Sequence, residues 1–116
     1  MEINHKEQDG IVCITINGRL DADGAPEAEG VTKSILDADN KWLLFDCSGL
    51  EYLSSVGLRI ILGVAKAVGR KGGKIVLCCL TQFVKEIFEI SRFDALIPIA
   101  DSFEDGLKQL KEAKSA

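Results

Sequence analysis

The sequence predicts an α/β fold, in which a mixed sheet of four to five strands packs against about four helices. Apolar runs such as residues 11–16 and 42–45 alternate with segments whose apolar residues recur at helical spacing. Continuous apolar runs are typical of strands covered on both faces. Strands that alternate with helices favour a largely parallel sheet with helices packed on it. The 116 residues suit one domain, 1–116.

The first two strands are expected to form an antiparallel hairpin. Residues 2–7 resemble a short edge strand, and residues 11–16 form a β-branched apolar run. Asp9 and Gly10 lie between them and are a strong turn signal. Residues 18–21 then lead out of the second strand. The hairpin is therefore the one antiparallel part of the predicted sheet.

The first helix is predicted over residues 25–37. Pro26 suits its first turn, and Asp23 or Gly24 suits the capping position before it. Gly30 lies inside the segment and opposes helix formation. The helix is followed by the apolar run 42–45, which predicts a buried strand.

The second helix is predicted to begin at Ser54 or Ser55 and to end near Gly69. Its apolar residues share one helical face: Leu58, Ile61, Leu62, Ala65 and Val68. Gly72 and Gly73 interrupt this pattern. Residues 74–80 then predict another buried strand.

The remaining elements are shorter. Thr81 can cap a third helix with an apolar set of Phe83, Val84, Ile87, Phe88 and Ile90. Residues 96–99 predict a short strand, which Pro98 favours at a sheet edge. Ser102 can cap a last helix whose inner face holds Phe103, Leu107 and Leu110. Residues 111–116 are expected to fray.

Composition restricts the class of partner. The net charge is −4 and the pI is about 5.0, whereas nucleic acids and anionic membranes require a basic face. The start of the chain lacks the apolar core of a signal peptide. No apolar run approaches the roughly 20 residues of a membrane span. We therefore expect a cytoplasmic protein with no nucleic acid or membrane partner.

The four cysteines are expected to be reduced, buried and free of metal. Cys13, Cys78 and Cys79 lie in apolar runs, and the chain has no Cys-x-x-Cys motif and a single histidine. Cys78 and Cys79 are adjacent in a predicted strand. Side chains alternate between the faces of a strand, so this pair is not expected to share a ligand. No cofactor is expected.

No set of residues predicts an enzyme. Cys47 or Ser48 could be a nucleophile, but each needs a base, and His5 is the only imidazole. Asp46 and Glu51 could form an acid–base pair. The commoner role for Asp46 is to accept N–H bonds within its own loop. The chain is therefore expected to act by binding rather than by catalysis.

Ser54 and Ser55 have two interpretations. Serine is among the best N-cap residues, and from the residues alone a cap is the simpler role for Ser55. Ser55 also follows a strand end and begins a helix, whose free N–H groups and dipole favour an added phosphate. It could therefore be a modification site.

The segment 44–58 resembles the signature of STAS domains, most closely those of bacterial anti-sigma factor antagonists. Residues 84–93 are similar to a later helix of that family. Residues 18–21 and 72–74 fit it as well. The resemblance covers nearly the whole chain, in order. It implies a STAS-like single domain.

The resemblance also implies a partner switch. The unmodified antagonist binds an anti-sigma factor that is also a serine kinase of the histidine-kinase-like ATPase type. Phosphorylation on one serine ends the complex, and a metal-dependent serine phosphatase reverses it. The motif places the phosphorylated serine at Ser55, with Ser54 as the alternative. It places the partner-binding residues at Asp21, Asp46, Ser54, Ser55, Val56, Gly57 and Arg59.

Other functions of STAS-like folds remain open at this point. One is a ligand-sensing module that binds a nucleotide or small molecule in a crevice near Asp46 and Ser55. Another is a scaffold subunit in a signalling pathway without a sigma factor.

Overall fold

The structure is a computed structural model that describes all of residues 1–116. It contains six strands, four α-helices and a short 3-10 turn at Phe93–Ala95. In chain order the regular elements are β1 (Glu2–Gln8), β2 (Ile11–Leu20), α1 (Ala25–Asp37), β3 (Trp42–Asp46), β4 (Leu50–Leu53), α2 (Ser55–Arg70), β5 (Lys74–Cys78), α3 (Gln82–Ser91), β6 (Ile99–Ala100) and α4 (Phe103–Ser115).

The sheet is mixed, as predicted. Its strand order is β1-β2-β3-β5-β6. β4 lies outside this order and pairs with the last residues of β2, after those that pair with β3. Only β1 and β2 are antiparallel, and every other pair is parallel. Asp9 and Gly10 both have positive φ, 55° and 77°. This is the backbone that a two-residue type I′ hairpin turn requires.

The sequence analysis missed β4, so the sheet has six strands rather than four to five. β2 runs on to Leu20, beyond the predicted end at residue 16, and this extension gives β4 a partner. Leu50 and Leu53 are both buried although they lie three residues apart. Their spacing does not show the alternation by which strands are recognised. The register also shifts between Gly18 and Arg19.

Three strand and helix bounds differ from expectation. β6 covers only Ile99–Ala100, whereas a strand was expected over residues 96–99. β5 stops at Cys78 rather than residue 80, because Cys79 adopts the left-handed backbone with φ 62°. α4 continues to Ser115, through the residues expected to fray. Lys111 Nζ lies 3.0 Å from the Asp9 carboxylate, and Lys114 Nζ donates to the Asp9 carbonyl at 3.3 Å. These contacts attach the end of α4 to the hairpin turn.

Helices cover both faces of the sheet. The larger core lies under α1, α2 and α3, which contribute Ile35, Ile61 and Phe88 among others. α4 covers the opposite face with Leu107 and Leu110. Successive residues of β2 point alternately into the two cores, as the pleat of a strand requires.

The first turn of α2 lies directly against the end of β2. The Ser54 N–H donates to the Leu20 carbonyl at 3.0 Å. Gly57 is buried one turn along, and a Cβ added there would lie 2.6 Å from the same Leu20 oxygen and 2.8 Å from Leu53 Cδ1. Only glycine permits this approach, so Gly57 sets the position of the helix start.

Gly57→Ala is expected to lower the free energy of unfolding by about 1–3 kcal/mol, because the added methyl overlaps the Leu20 backbone, which cannot easily move. Gly63→Ala in the same helix is the matched control. Nothing lies within 4 Å of a Cβ at Gly63, and alanine there is expected to stabilise the protein by about 0.5–1 kcal/mol. Urea denaturation of the three proteins measures both effects. Equal stability of the two variants would contradict the proposed packing.

Candidate docking site at the start of the second helix

The two serines have different structural roles. Ser54 is the N-cap of α2, and its Oγ accepts a hydrogen bond from the Gly57 N–H at 3.2 Å. Ser55 is the first residue of the helix; its side chain is exposed and makes no hydrogen bond within the protein. The cap is therefore Ser54, whereas the residues alone had favoured Ser55 as a cap. The Ser55 hydroxyl remains free for another use.

The surroundings of Ser55 favour negative charge. The first turn of α2 contains no acidic residue. Its unpaired N–H groups and the helix dipole give this end a partial positive charge. Arg59 is exposed four residues further on, at a spacing from which its guanidinium can reach a group on Ser55. A phosphate on Ser55 would therefore be tolerated without a change of fold.

Val56 and Arg59 open onto a groove between α1 and α2 with a volume of about 450 Å³. The groove is lined by Glu29, Thr32, Lys33, Leu36, Asp37, Val56, Arg59, Ile60, Gly63 and Val64. Its floor is apolar and its rim is charged. The predicted partner-binding residues Ser55, Val56 and Arg59 thus lie on one continuous surface, with Gly57 buried beneath it.

Asp21 lies at the start of α1 and has a local structural role. Its Oδ1 accepts from the N–H groups of Asp23 at 3.1 Å and Gly24 at 3.4 Å. Its other oxygen lies 3.6 Å from Arg19 Nε. The side chain that orders the entry to α1 is therefore Asp21, because Gly24 occupies the capping position and has no side chain to offer.

Asp46 lies at the end of β3 and makes no hydrogen bond with Ser55. Its Oδ1 accepts the Ser48 N–H at 3.1 Å, which is the local role expected for it. The three grooves that flank α1 have volumes of about 450, 460 and 340 Å³, and none is lined by Asp46. The crevice expected between Asp46 and Ser55 is not formed by these grooves.

The exposed side chains of Arg19 and Phe83 contact the half-buried ring of Tyr52, which lies two residues before Ser54. The Arg19 guanidinium carbon lies 4.3 Å from the centre of the Tyr52 ring, and the Tyr52 and Phe83 rings stack with centroids 6.1 Å apart. Phe83 is 53% exposed, which is unusual for a phenylalanine. The sequence analysis had included it in the apolar set of the third helix. Because Phe83 and Tyr52 are 31 positions apart, no local pattern shows this stack.

Three donor groups meet at the carboxyl ends of β3 and β5. The thiols of Cys78 and Cys79 and a carboxylate oxygen of Asp46 all lie within 4.8 Å of one another. The expectation that the adjacent cysteines point apart was wrong. Strand alternation ends at Cys78, and the left-handed backbone of Cys79 turns its thiol back.

Cys47, one of the two nucleophiles considered in the sequence, is poorly suited to catalysis. Cys47 is completely buried. Burial, followed by the negative charge of Asp46, raises the pKa of its thiol far above the usual range. The thiol is therefore protonated at neutral pH, and it is the thiolate that reacts. His5 lies exposed on the edge strand β1.

None of the helices combines the length and the apolar character that crossing a bilayer demands. The longest, α2, has 16 residues.

Comparison with known proteins gives consistent matches. The STAS domain family matches residues 2–106. The chain is 33% identical over 113 residues to BtrV of Bordetella bronchiseptica, provisionally named an anti-sigma factor antagonist, with 97% of each chain covered. It is 26% identical over 110 residues to the anti-sigma-B factor antagonist of Bacillus subtilis, covering 93% of this chain and 98% of that one. The solved structure of an anti-sigma factor antagonist from Mycobacterium paratuberculosis has the same fold, with a TM-score of 0.88 at 21% identity over 95% of this chain and 93% of that one.

The separate roles of the serines predict different effects of alanine. Ser54→Ala removes the acceptor for the Gly57 N–H and is expected to cost about 1 kcal/mol of the free energy of unfolding. Ser55→Ala removes an exposed hydroxyl with no partner and is expected to change stability by less than about 0.5 kcal/mol. Chemical denaturation distinguishes the two. A larger loss for Ser55→Ala than for Ser54→Ala would show that the cap had been assigned to the wrong serine.

Proposed function

The chain belongs to the STAS domain family, and on that premise we propose that it is an anti-sigma factor antagonist controlled by phosphorylation of Ser55. In this proposal the protein acts by binding, not by catalysis. Its relatives in Bordetella and Bacillus have names of this regulatory kind. The observation that carries the proposal is an exposed, unbonded Ser55 beside a second serine that already caps the helix.

The division of roles between the serines favours Ser55 as the modified residue. A phosphate on Ser54 would disturb the oxygen that accepts the Gly57 N–H. A phosphate on Ser55 leaves that bond intact and extends from the surface. A kinase can therefore modify Ser55 without opening the fold, and a phosphatase can reach the product.

The proposed docking surface consists of Ser55, the α1–α2 groove and the stack of Arg19, Tyr52 and Phe83. The groove and the exposed Phe83 ring offer apolar area to a partner. Arg19 and Arg59 supply positive charge beside it. This arrangement resembles protein interfaces, which combine aromatic and arginine side chains at their centre with a polar rim. The proposed partner is an anti-sigma factor with a histidine-kinase-like ATPase domain that phosphorylates serine.

Charge alone can operate the switch. Phosphoserine carries roughly −1.5 to −2 charges at neutral pH. In the free protein this charge lies in water at the positive end of α2. In a docked complex it would be removed from water with no counter-charge from the partner, at a cost of about 3–5 kcal/mol. Such a cost weakens binding by a factor of roughly 10² to 10³, since each 1.4 kcal/mol is tenfold. A metal-dependent serine phosphatase would restore binding.

Ser55→Asp is expected to weaken binding to the cognate anti-sigma factor at least about 100-fold, because it places a negative charge at the centre of the docking surface. Ser55→Ala is expected to bind nearly as tightly as the native protein. Isothermal titration calorimetry with the purified partner measures both. Ser54→Ala is the matched control, since it alters the neighbouring hydroxyl without adding charge. Equal affinity of the Asp and Ala variants at position 55 would contradict the switch.

The site of modification can be tested directly. The native protein is incubated with the cognate kinase and ATP, and the phosphate is located by peptide mass spectrometry. We expect phosphate on Ser55, and none on the Ser55→Ala variant. Phosphate on Ser54 in the native protein would contradict the assignment to Ser55. Absence of any phosphate would refute the phosphorylation mechanism. Binding to the anti-sigma factor would then be tested separately by calorimetry.

A further inference from the structure

The donor cluster of Asp46, Cys78 and Cys79 has no part in the proposed docking surface. It lies where β3 and β5 end, and these strands are paired through Asp46 and Cys78. The Cys47 N–H donates to the Cys78 carbonyl at 3.0 Å, and the Cys79 N–H donates to the Ala100 carbonyl at 3.3 Å. Backbone bonds to neighbouring segments thus fix the main chain that carries the donor side chains.

The donors suit a borderline-soft divalent cation. Thiolate sulfur and carboxylate oxygen are both common Zn²⁺ ligands. With Zn–S of about 2.3 Å and Zn–O of about 2.0–2.2 Å, tetrahedral ligands lie roughly 3.5–3.8 Å apart. The present donors lie within 4.8 Å of one another. Side-chain rotations that bring them about 1 Å closer would complete the geometry.

The backbone at Cys79 explains how the two thiols come together. A non-glycine residue in the left-handed region costs roughly 1–2 kcal/mol. Cys79 adopts φ 62°, and this conformation turns its thiol toward that of Cys78 instead of the opposite face of the sheet. The unfavourable backbone conformation of Cys79 is thus what brings the two thiols close together.

We propose that Asp46, Cys78 and Cys79 form a site for a single Zn²⁺ ion. Cys78 is fully buried, whereas Asp46 and Cys79 are half-buried, so an ion can enter from the solvent side. Three protein ligands leave the fourth tetrahedral position to water. Binding releases the two thiol protons to solvent, and the two thiolates and the carboxylate then more than neutralise the two positive charges of the metal.

The ion would order the start of α3. Thr81 caps that helix, with its Oγ1 accepting the Val84 N–H at 3.3 Å, and it lies two residues after Cys79. Phe83 follows and stacks on Tyr52. Fixing Cys79 to Asp46 therefore restrains the segment that leads to the aromatic stack. The role proposed for the site is conformational.

The experiment uses the full chain, reduced with a non-chelating phosphine and stripped of metal. Cd²⁺ is added as a spectroscopic probe, and thiolate-to-metal charge-transfer absorption in the ultraviolet is recorded. Zn²⁺ affinity is then measured by competition with a chromophoric chelator. We expect saturation at one metal per chain and a higher melting temperature with Zn²⁺ present, because the ion binds the folded state.

Variants separate a built site from free-thiol binding. Cys79→Ser is expected to reduce the charge-transfer band and to weaken Zn²⁺ binding at least tenfold. Asp46→Asn is expected to weaken binding while the band remains, because both thiolates are retained. Cys13→Ser is the matched control, since Cys13 is a buried cysteine of the same sheet outside the cluster. Absence of saturable binding at micromolar metal, or an unchanged affinity in Cys79→Ser, would overturn the proposal.

Discussion

The candidate site depends on the attachment of α2 to the Leu20 carbonyl. The Ser54 N–H donates to this oxygen at 3.0 Å, and Gly57 lets the helix approach the same atom without a side chain between them. This fixes the helix start in position and in rotation about its axis. Ser54 is consequently turned inward to cap the helix, and Ser55 is turned outward. The distinction between a capping serine and an available serine follows from one backbone contact.

The length of β2 makes that contact possible. Its first part pairs with β3 and its last part with β4, which follow each other along the same side of β2. β4 ends at Leu53, so Ser54 is delivered next to Leu20. The same extension places Arg19 over Tyr52, and α3 adds Phe83 to the stack. The exposed surface beside Ser55 is thus assembled from β2, β4 and α3.

Functional groups gather at the carboxyl ends of the parallel strands, where open α/β sheets commonly bind their ligands. Two separate groups occur there. β4 leads to the serines and the proposed docking surface, while β3 and β5 lead to the donor cluster of Asp46, Cys78 and Cys79. The β5–α3 connection joins them, because it contains Cys79 and runs on to Phe83. A single-domain fold of 116 residues therefore has room for a binding surface and a nearby ion site.

Much of this protein could be predicted from its sequence, because the decisive signals were local. Helical apolar spacing, the Asp9–Gly10 turn and the continuous apolar runs depend on neighbouring residues, and they gave the helices, the hairpin and the parallel strands. β4 was missed because its pairing is set by a distant segment of β2 and by a register shift at Gly18. The sequence by itself determined the fold class and limited the proposed switch to Ser54 or Ser55. Tertiary structure alone decided which serine is free, and it alone brought the Cys78 and Cys79 thiols together with Asp46. Both outcomes depend on the direction of the backbone at the end of a strand. Contacts with distant residues set this direction at Ser54, and a left-handed residue sets it at Cys79. Neither cause can be recognised from the spacing of residues in the sequence.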